Sequence, residues 1–323
     1  MPTSKPAKAR TRPDAPILVT MGEPAGIGPE LAVAAWQKFG GVIEGRPLKL
    51  VGDTAVFQAC GTIDDAAIIQ TKAHASRTPG KPDGANASAV IEAIESAVGD
   101  AMTGNAAAIV TAPIHKAVLT GTGFGFAGHT EFLAQLTRAP RAVMMLAGPD
   151  LRVVPLSVHI ALADVAGRIT KDAILETAEI TLAALKNDFG IAKPRLAIAG
   201  LNPHAGESGT IGHEDKTIVG PAADELRARG YNVLGPLSAD TLFHADARKK
   251  YDTALCMYHD QALIPIKTLN FWDGVNITLG LPIVRTSPDH GTAFDIAGTG
   301  KADLRSMIAA IEMAAAIADA RNR

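Results

Sequence analysis

Residues 17–39 read ILVTMGEPAGIGPELAVAAWQKF. The apolar run Ile17 to Met21 gives way to Gly, Pro and Glu, then to apolar residues at helical spacing from Pro29 to Phe39. The stretch reads as strand, tight turn, helix. Outward from it the alternation recurs. Leu48–Val51, Ala107–Thr111, Leu196–Leu201 and Ala254–Tyr258 read as strands, and Ala85–Met102, Lys171–Phe189, Asp215–Arg229 and Ala302–Arg321 as helices. Strands alternating with helices predict an α/β protein whose largely parallel sheet is covered on both faces. The run from Ala142 to Val158 divides at Gly148-Pro149-Asp150, which predicts an antiparallel hairpin and hence a mixed sheet.

A chain of 323 residues exceeds the ~250–300 at which one core stops growing, so two domains are expected. The pattern suggests residues 17–135 with 290–323 as the first and 136–289 as the second. Residues 1–16 read as a disordered tail. Lys+Arg at 31 against Asp+Glu at 33 leave a net charge of −2 with no basic stripe, which argues against a nucleic-acid partner. Two cysteines, Cys60 and Cys256, are too few for a disulfide framework and point to a reducing cytoplasm. The apolar segment Met307–Ala320 is broken by Glu312 and Asp319, so no membrane span is expected.

Three histidines share one setting: His159, His204 and His259 each follow a predicted strand. Ligand crevices of α/β sheets lie beyond the carboxyl ends of strands, where residues distant in sequence converge. Three neutral imidazoles suit a divalent metal, with Asp240 and Asp260 as supporting partners. No short motif links the three, so spacing alone favours unrelated loop or capping histidines. The Met21–Glu30 loop precedes a helix, as an anion-binding turn does, but Leu31 stands where a dinucleotide fingerprint needs its third glycine. Gly123–Thr130, GFGFAGHT, differs from a phosphate loop in having His129 at the lysine position, which argues against nucleotide hydrolysis. What survives is a helix start with His129 and Thr130 offered to an anion, or an ordinary helix N-terminus. Lys267, Asn276 and Arg285 lie in a stretch rich in apolar, Gly and Pro residues; Lys and Arg there suit an anionic substrate, although each alone also reads as surface charge. Ser208 and Cys256 lie in no nucleophile motif, and Trp36 and Trp272 read as packing residues.

The strings VTMGEPAGIGPE, TAPIHK, GHTEFLA, LNPHAGE, GPLSADT, YHDQALIPIK and GVNITLGLPIVRTSPDHGTAFDIAGTG together resemble the 4-hydroxythreonine-4-phosphate dehydrogenases of vitamin B6 (pyridoxal phosphate) synthesis, from about Ile17 to the C-terminal helix. The resemblance implies two α/β domains around a cleft, as in isocitrate and isopropylmalate dehydrogenases, and a cytoplasmic homodimer with active sites at the subunit interface. It implies NAD(P)+ bound without a Rossmann fingerprint, and one divalent ion (Zn, Mg, Co or Mn) on His159, His204 and His259, the last from the partner subunit. It further implies that His129, Thr130, Lys267, Asn276 and Arg285 contact a small phosphorylated substrate. The implied reaction is oxidation of 4-phosphooxy-L-threonine at C3, then decarboxylation to 3-amino-2-oxopropyl phosphate. Ala262, where glycine is usual after YHDQ, and the stretch KTLNFWD from Lys267 to Asp273 depart from the family pattern. They leave room for a sister activity on D-threonate or D-erythronate 4-phosphate. A non-catalytic anion- or nucleotide-binding protein is the alternative from another class.

Overall fold

The structure, a computed structural model, describes residues 11–121, 125–126 and 128–323. Met1–Arg10 of the expected tail, and Gly123, Phe124 and Ala127 of the expected 123–130 loop, lie outside the described residues. The chain forms two compact units, one running to Ala142 and resuming at Val275–Arg323, the other spanning Val143–Gly274.

The strands are β1 Ile17–Thr20, β2 Val42–Ile43, β3 Arg46–Gly52, β4 Ile68–Gln70, β5 Ala108–Thr111, β6 Val143–Ala147, β7 Arg152–Pro155, β8 Arg195–Ala199, β9 Asn232–Leu237, β10 Thr253–Cys256, β11 Val275–Leu279 and β12 Arg285–Pro288. In the first unit their order is β2-β3-β1-β5-β12-β11, with β4 on the far side of β3. β1 pairs parallel with β3 and β5, and β5 parallel with β12, whereas β11 runs antiparallel to β12. Asn276 and Arg285 therefore belong to this unit. β1 and β5 are buried along their whole length, as both faces of a covered parallel sheet require.

Helix Gly28–Phe39 begins with Pro29, whose missing N–H costs nothing there, and stops at Gly40 in the left-handed region. Helix Ala87–Thr103 buries Ala89, Ala93, Ala97 and Ala101, a row of small residues four apart that lets it lie close against its neighbours. The last helix, Arg305–Asn322, packs against β12 and does the same with Ala310, Ala314 and Ala318; Thr286 donates its hydroxyl to the Ala310 carbonyl at 2.8 Å. Sequence pattern places this helix start at Ala302, but Lys301–Leu304 is not helical, and Asp303 accepts from the Arg305 N–H just ahead of the first turn.

The second unit has the order β6-β7-β10-β8-β9. β7, β10, β8 and β9 are mutually parallel, and β6 runs antiparallel to β7 across the Gly148-Pro149-Asp150 turn, the expected hairpin. Its core gathers Leu146, Val153, Ala197, Ala254, Cys256 and Ile266. The expected helix over Asp215–Arg229 opens with a π turn, Asp215–Val219, before regular helix Gly220–Ala228. No helix among the described residues is long and apolar enough to cross a membrane.

The turn after β1 depends on Gly22, which has φ +67° and would bring a Cβ within 2.6 Å of the Pro113 carbonyl oxygen. Gly22→Ala thus combines a left-handed backbone with a main-chain clash. It is expected to lower unfolding free energy by roughly 1–3 kcal/mol, measured by urea denaturation; wild-type stability would contradict this account of the turn.

Candidate active site

The strand order sets the three histidines after neighbouring strand ends. β7, β10 and β8 are adjacent, and His159, His259 and His204 follow their carboxyl ends in that order. The rings of His159 and His259 lie 6.1 Å apart, centre to centre. Two imidazoles bound to one ion, each at about 2.1 Å through nitrogen, have centres up to roughly 6.4 Å apart, so this pair is within ligand reach. His259 Nδ1 pairs with Asp260 Oδ1 at 2.7 Å, which leaves Nε2 for a ligand. His204 stands close enough to Asp240 to help hold that carboxyl below its ordinary range, after the larger effect of the Ser238 hydroxyl bond. Among the described residues no three His, Cys, Asp or Glu side chains of this single chain form a metal-holding group. The donor set nonetheless fits a borderline divalent metal: imidazoles on adjacent strand ends, His159 and His204 exposed and His259 partly so, with His259 hydrogen-bonded to a carboxylate.

His204 sits in an unusual backbone. His204, Ala205, Gly206, Glu207 and Ser208 have φ of 55°, 52°, 77°, 40° and 60°, a full left-handed turn of which only one member is glycine. Each non-glycine residue there costs roughly 1–2 kcal/mol. The turn persists because its approach is fixed. Buried Asp215 accepts the N–H groups of Leu201 and Asn202 at 2.7 and 2.9 Å, and Gly200 leaves space where a Cβ would strike Ala205 at 2.8 Å. Asp215 opens the π turn Asp215–Val219.

In the first unit the central feature is Arg285. It is 3% exposed. Its Nε and Nη2 donate to the Thr111 hydroxyl at 3.1 and 2.6 Å, and Nη1 donates to Thr278 at 2.9 Å and to Asn276 Oδ1 at 3.5 Å. Among the described residues no carboxylate pairs with it. Burial pushes the guanidinium down to about 9, which still leaves it charged at neutral pH. His129 opens the helix His129–Thr137, with Thr130 beside it in the first turn. Burial first, and the Arg285 charge second, hold the His129 imidazole well below its ordinary value of 6.5, and its Nε2 has no hydrogen-bond partner among the described residues. Lys267 lies elsewhere, in the last turn of helix His259–Leu269 in the second unit, its ammonium 5.8 Å from the Phe271 ring centre.

Other sequence features resolve differently. The Met21–Glu30 loop is a clamp. The N–H groups of Glu23, Ala25, Gly26 and Ile27 bond to the Pro113 carbonyl, Glu23 Oε1, the Glu23 carbonyl and the Thr292 carbonyl, so they are not free for an anion. Arg77 closes it through the Gly26 carbonyl and Glu30, each at 2.7 Å. Burial pushes the Cys60 thiol up to about 11 and that of Cys256 still higher, so neither is a thiolate nucleophile. Sequence reasoning passed over Thr111 and Thr278, which hold Arg285. The signal available was the threonine opening TAPIHK at a strand end.

Two units of mixed α/β structure, each with polar groups gathered at strand ends, define the class of two-unit α/β proteins. A β-decarboxylating dehydrogenase from Thermococcus kodakarensis shares this fold at 15% identity and a TM-score of 0.50, over 93% of this chain and 81% of that one. The chain belongs to the family described as "Pyridoxal phosphate biosynthetic protein PdxA", which it matches over residues 41–314. A relative from Paracoccus denitrificans (strain Pd 1222), named 4-hydroxythreonine-4-phosphate dehydrogenase, is 53% identical over 93% of this chain and 96% of its own length. The crystal structure of 4-hydroxythreonine-4-phosphate dehydrogenase from Klebsiella pneumoniae superposes with a TM-score of 0.82 at 37% identity, covering 94% of this chain and 99% of that one.

The neutral His129 sets a pH dependence. Its folded-state affinity for protons is below that of the unfolded chain, so the unfolded state takes up the proton first as pH falls below about 6.5. Stability is therefore expected to decline on acidification from that point. His129→Gln should flatten the decline in urea midpoints between pH 7 and pH 5.5, and an unchanged slope would contradict the assignment.

Proposed function

We propose that this protein oxidises the C3 hydroxyl of 4-phosphooxy-L-threonine with NAD(P)+ and loses CO2 from the β-keto acid, giving 3-amino-2-oxopropyl phosphate for pyridoxal 5'-phosphate synthesis. Membership of the family and the names of its relatives support the reading. The structural observation that carries it is Arg285, a buried cation whose partners are hydroxyl and amide oxygens rather than a carboxylate. Such a group is completed by an anion, and this substrate offers a phosphate and a carboxylate.

Arg285 anchors one anionic group, its fork held by Thr111 and Thr278 so that little side-chain freedom is lost on binding. Neutral His129 contributes a hydrogen bond through Nε2 without adding a second charge beside Arg285. Thr130 and Asn276 add polar contacts, and Lys267 supplies the second cation. His159, His204 and His259 hold a divalent ion, which when bound supplies a Lewis acid for negative charge developing on oxygen, while NAD(P)+ supplies the hydride acceptor. Zn, Co, Mn or Mg meet that description. Asp260 orients His259 by accepting at Nδ1. The protein works as a cytoplasmic homodimer.

Turnover decides the substrate. NAD(P)H absorbance is expected to rise with 4-phosphooxy-L-threonine and to be abolished by chelator and restored by divalent metal. Faster turnover of D-threonate 4-phosphate would instead favour the sugar-acid activity suggested by Ala262 and the exposed Phe271-Trp272 pair beside Lys267. Turnover of neither would overturn the enzymatic reading.

Within one chain His159 and His259 already form a pair, whereas the family resemblance assigns His259 to the partner's site. His204→Ala and His259→Ala proteins are each expected to be inactive. Recovery on co-assembly is the expected result for a site built from two chains; no recovery would place all three ligands on one.

A further inference from the structure

The stretch KTLNFWD, where this chain departs from the family pattern, is pinned at a single residue. Asn270 follows helix His259–Leu269 and is 5% exposed, whereas Phe271 and Trp272 beside it are exposed. Its N–H donates to the Ile266 carbonyl at 2.7 Å, which closes the last turn of the helix, the turn that carries Lys267. Its side chain reaches the turn between β6 and β7, where Nδ2 donates to Asp150 Oδ2 at 3.2 Å. The amide is seated against Gly148, where a Cβ would come within 2.4 Å of Asn270 Cγ. Asn270 Oδ1 is buried and has no hydrogen-bond partner among the described residues.

Asp150 is itself held in place. Arg248 Nη1 donates to its carbonyl at 2.9 Å and lies 3.8 Å from its Oδ1. Immediately beyond Asn270 comes Phe271, and the Lys267 ammonium stands 5.8 Å from that ring's centre, within cation–π range. The Phe271 ring meets Trp272 nearly edge-on at 5.1 Å. Asn270 thus fixes both things that locate Lys267: the helical turn from which it springs and the ring over which its ammonium lies. We propose that Asn270 is a positioning residue, which locks the end of this helix to the Gly148-Pro149-Asp150 turn and so holds the Lys267 ammonium ready for the anionic substrate. The proposal rests on the reading of Lys267 as the second substrate cation.

The chemistry of the position is specific. The Asp150 carboxylate needs a donor, and asparagine is the short side chain that offers an N–H without charge. Aspartate keeps the shape but sets a second carboxylate against Asp150, and alanine loses the tie altogether. Lysine is among the side chains with most rotamer freedom to lose, so an ammonium placed in advance binds an anion more tightly than one that must be ordered on binding.

The test is calorimetric titration of the whole protein, with divalent metal added, by 4-phosphooxy-L-threonine and by D-threonate 4-phosphate, together with steady-state kinetics and thermal melting. Asn270→Asp is expected to weaken binding of the ester that wild-type protein binds by roughly 3- to 10-fold, the factor that ordering one rotamer-rich side chain is worth. The loss should fall on KM rather than kcat. Asp150→Asn in the same chain should restore binding, because one donor and one carboxylate again face each other. On a Lys267→Ala background Asn270→Asp should weaken binding no further, as a residue acting through Lys267 requires. A folded Asn270→Asp protein with wild-type affinity, or an equal further loss on the Lys267→Ala background, would overturn the proposal. If Asn270→Asp does not fold, Asn270→Ala takes its place: weaker binding that disappears on the Lys267→Ala background supports the role, and wild-type affinity overturns it. Failure of the underlying reading looks different and removes the proposal with it, because wild-type protein would then bind neither ester, or Lys267→Ala would bind as tightly as wild type.

Discussion

A guanidinium buried to 3% exposure with no carboxylate partner among the described residues is the constraint around which the first unit is arranged. Arg285 begins β12, which lies between β5 and β11, so Thr111 on one neighbour and Thr278 and Asn276 on the other meet its fork. Hydroxyl and amide oxygens satisfy its N–H groups but do not neutralise it. A protein seeking only stability would place a carboxylate or an apolar residue there, since an uncompensated buried charge costs several kcal/mol. Retaining the charge leaves its field available to a bound anion. The same field, added to burial, keeps His129 neutral.

The second unit places residues far apart in the chain on neighbouring strand ends. Parallel pairing of β7, β10 and β8 aligns three carboxyl ends side by side, and each is followed within a few residues by a histidine. Strand ends alone fix the loops only loosely. Main-chain ties through Ser157 and Gln261 join these loops, and Asp215 lies beneath a left-handed turn that the chain would not adopt unaided.

The α/β alternation was legible because period and punctuation agree. β1 and β5 are continuous apolar runs, helix Gly28–Phe39 has its proline and glycine at the proper ends, and Gly148-Pro149-Asp150 marks the hairpin. The common setting of His159, His204 and His259 was legible for the same reason, but the adjacency of the strands they follow was not, because strand order is decided by packing between distant segments. The Met21–Glu30 loop looks in sequence like an anion cradle; only coordinates reveal that its N–H groups are consumed by Pro113, Glu23 and Thr292. Neither the left-handed turn at His204 nor the burial of Arg285 has a sequence signature: Thr111 reaches Arg285 from 174 residues away, and the contacts of Thr278 with Arg285 and of Asp215 with Leu201 and Asn202 follow no short motif.

The central claim is that the buried charge of Arg285 exists to receive an anionic group of the substrate. A crystal structure of the protein soaked with 4-phosphooxy-L-threonine tests it most directly. The account predicts a phosphate or carboxylate oxygen within hydrogen-bond distance of the Arg285 guanidinium, with Thr111 and Thr278 still in place behind it. Substrate bound elsewhere, with the guanidinium still turned only to its hydroxyl partners, would contradict it.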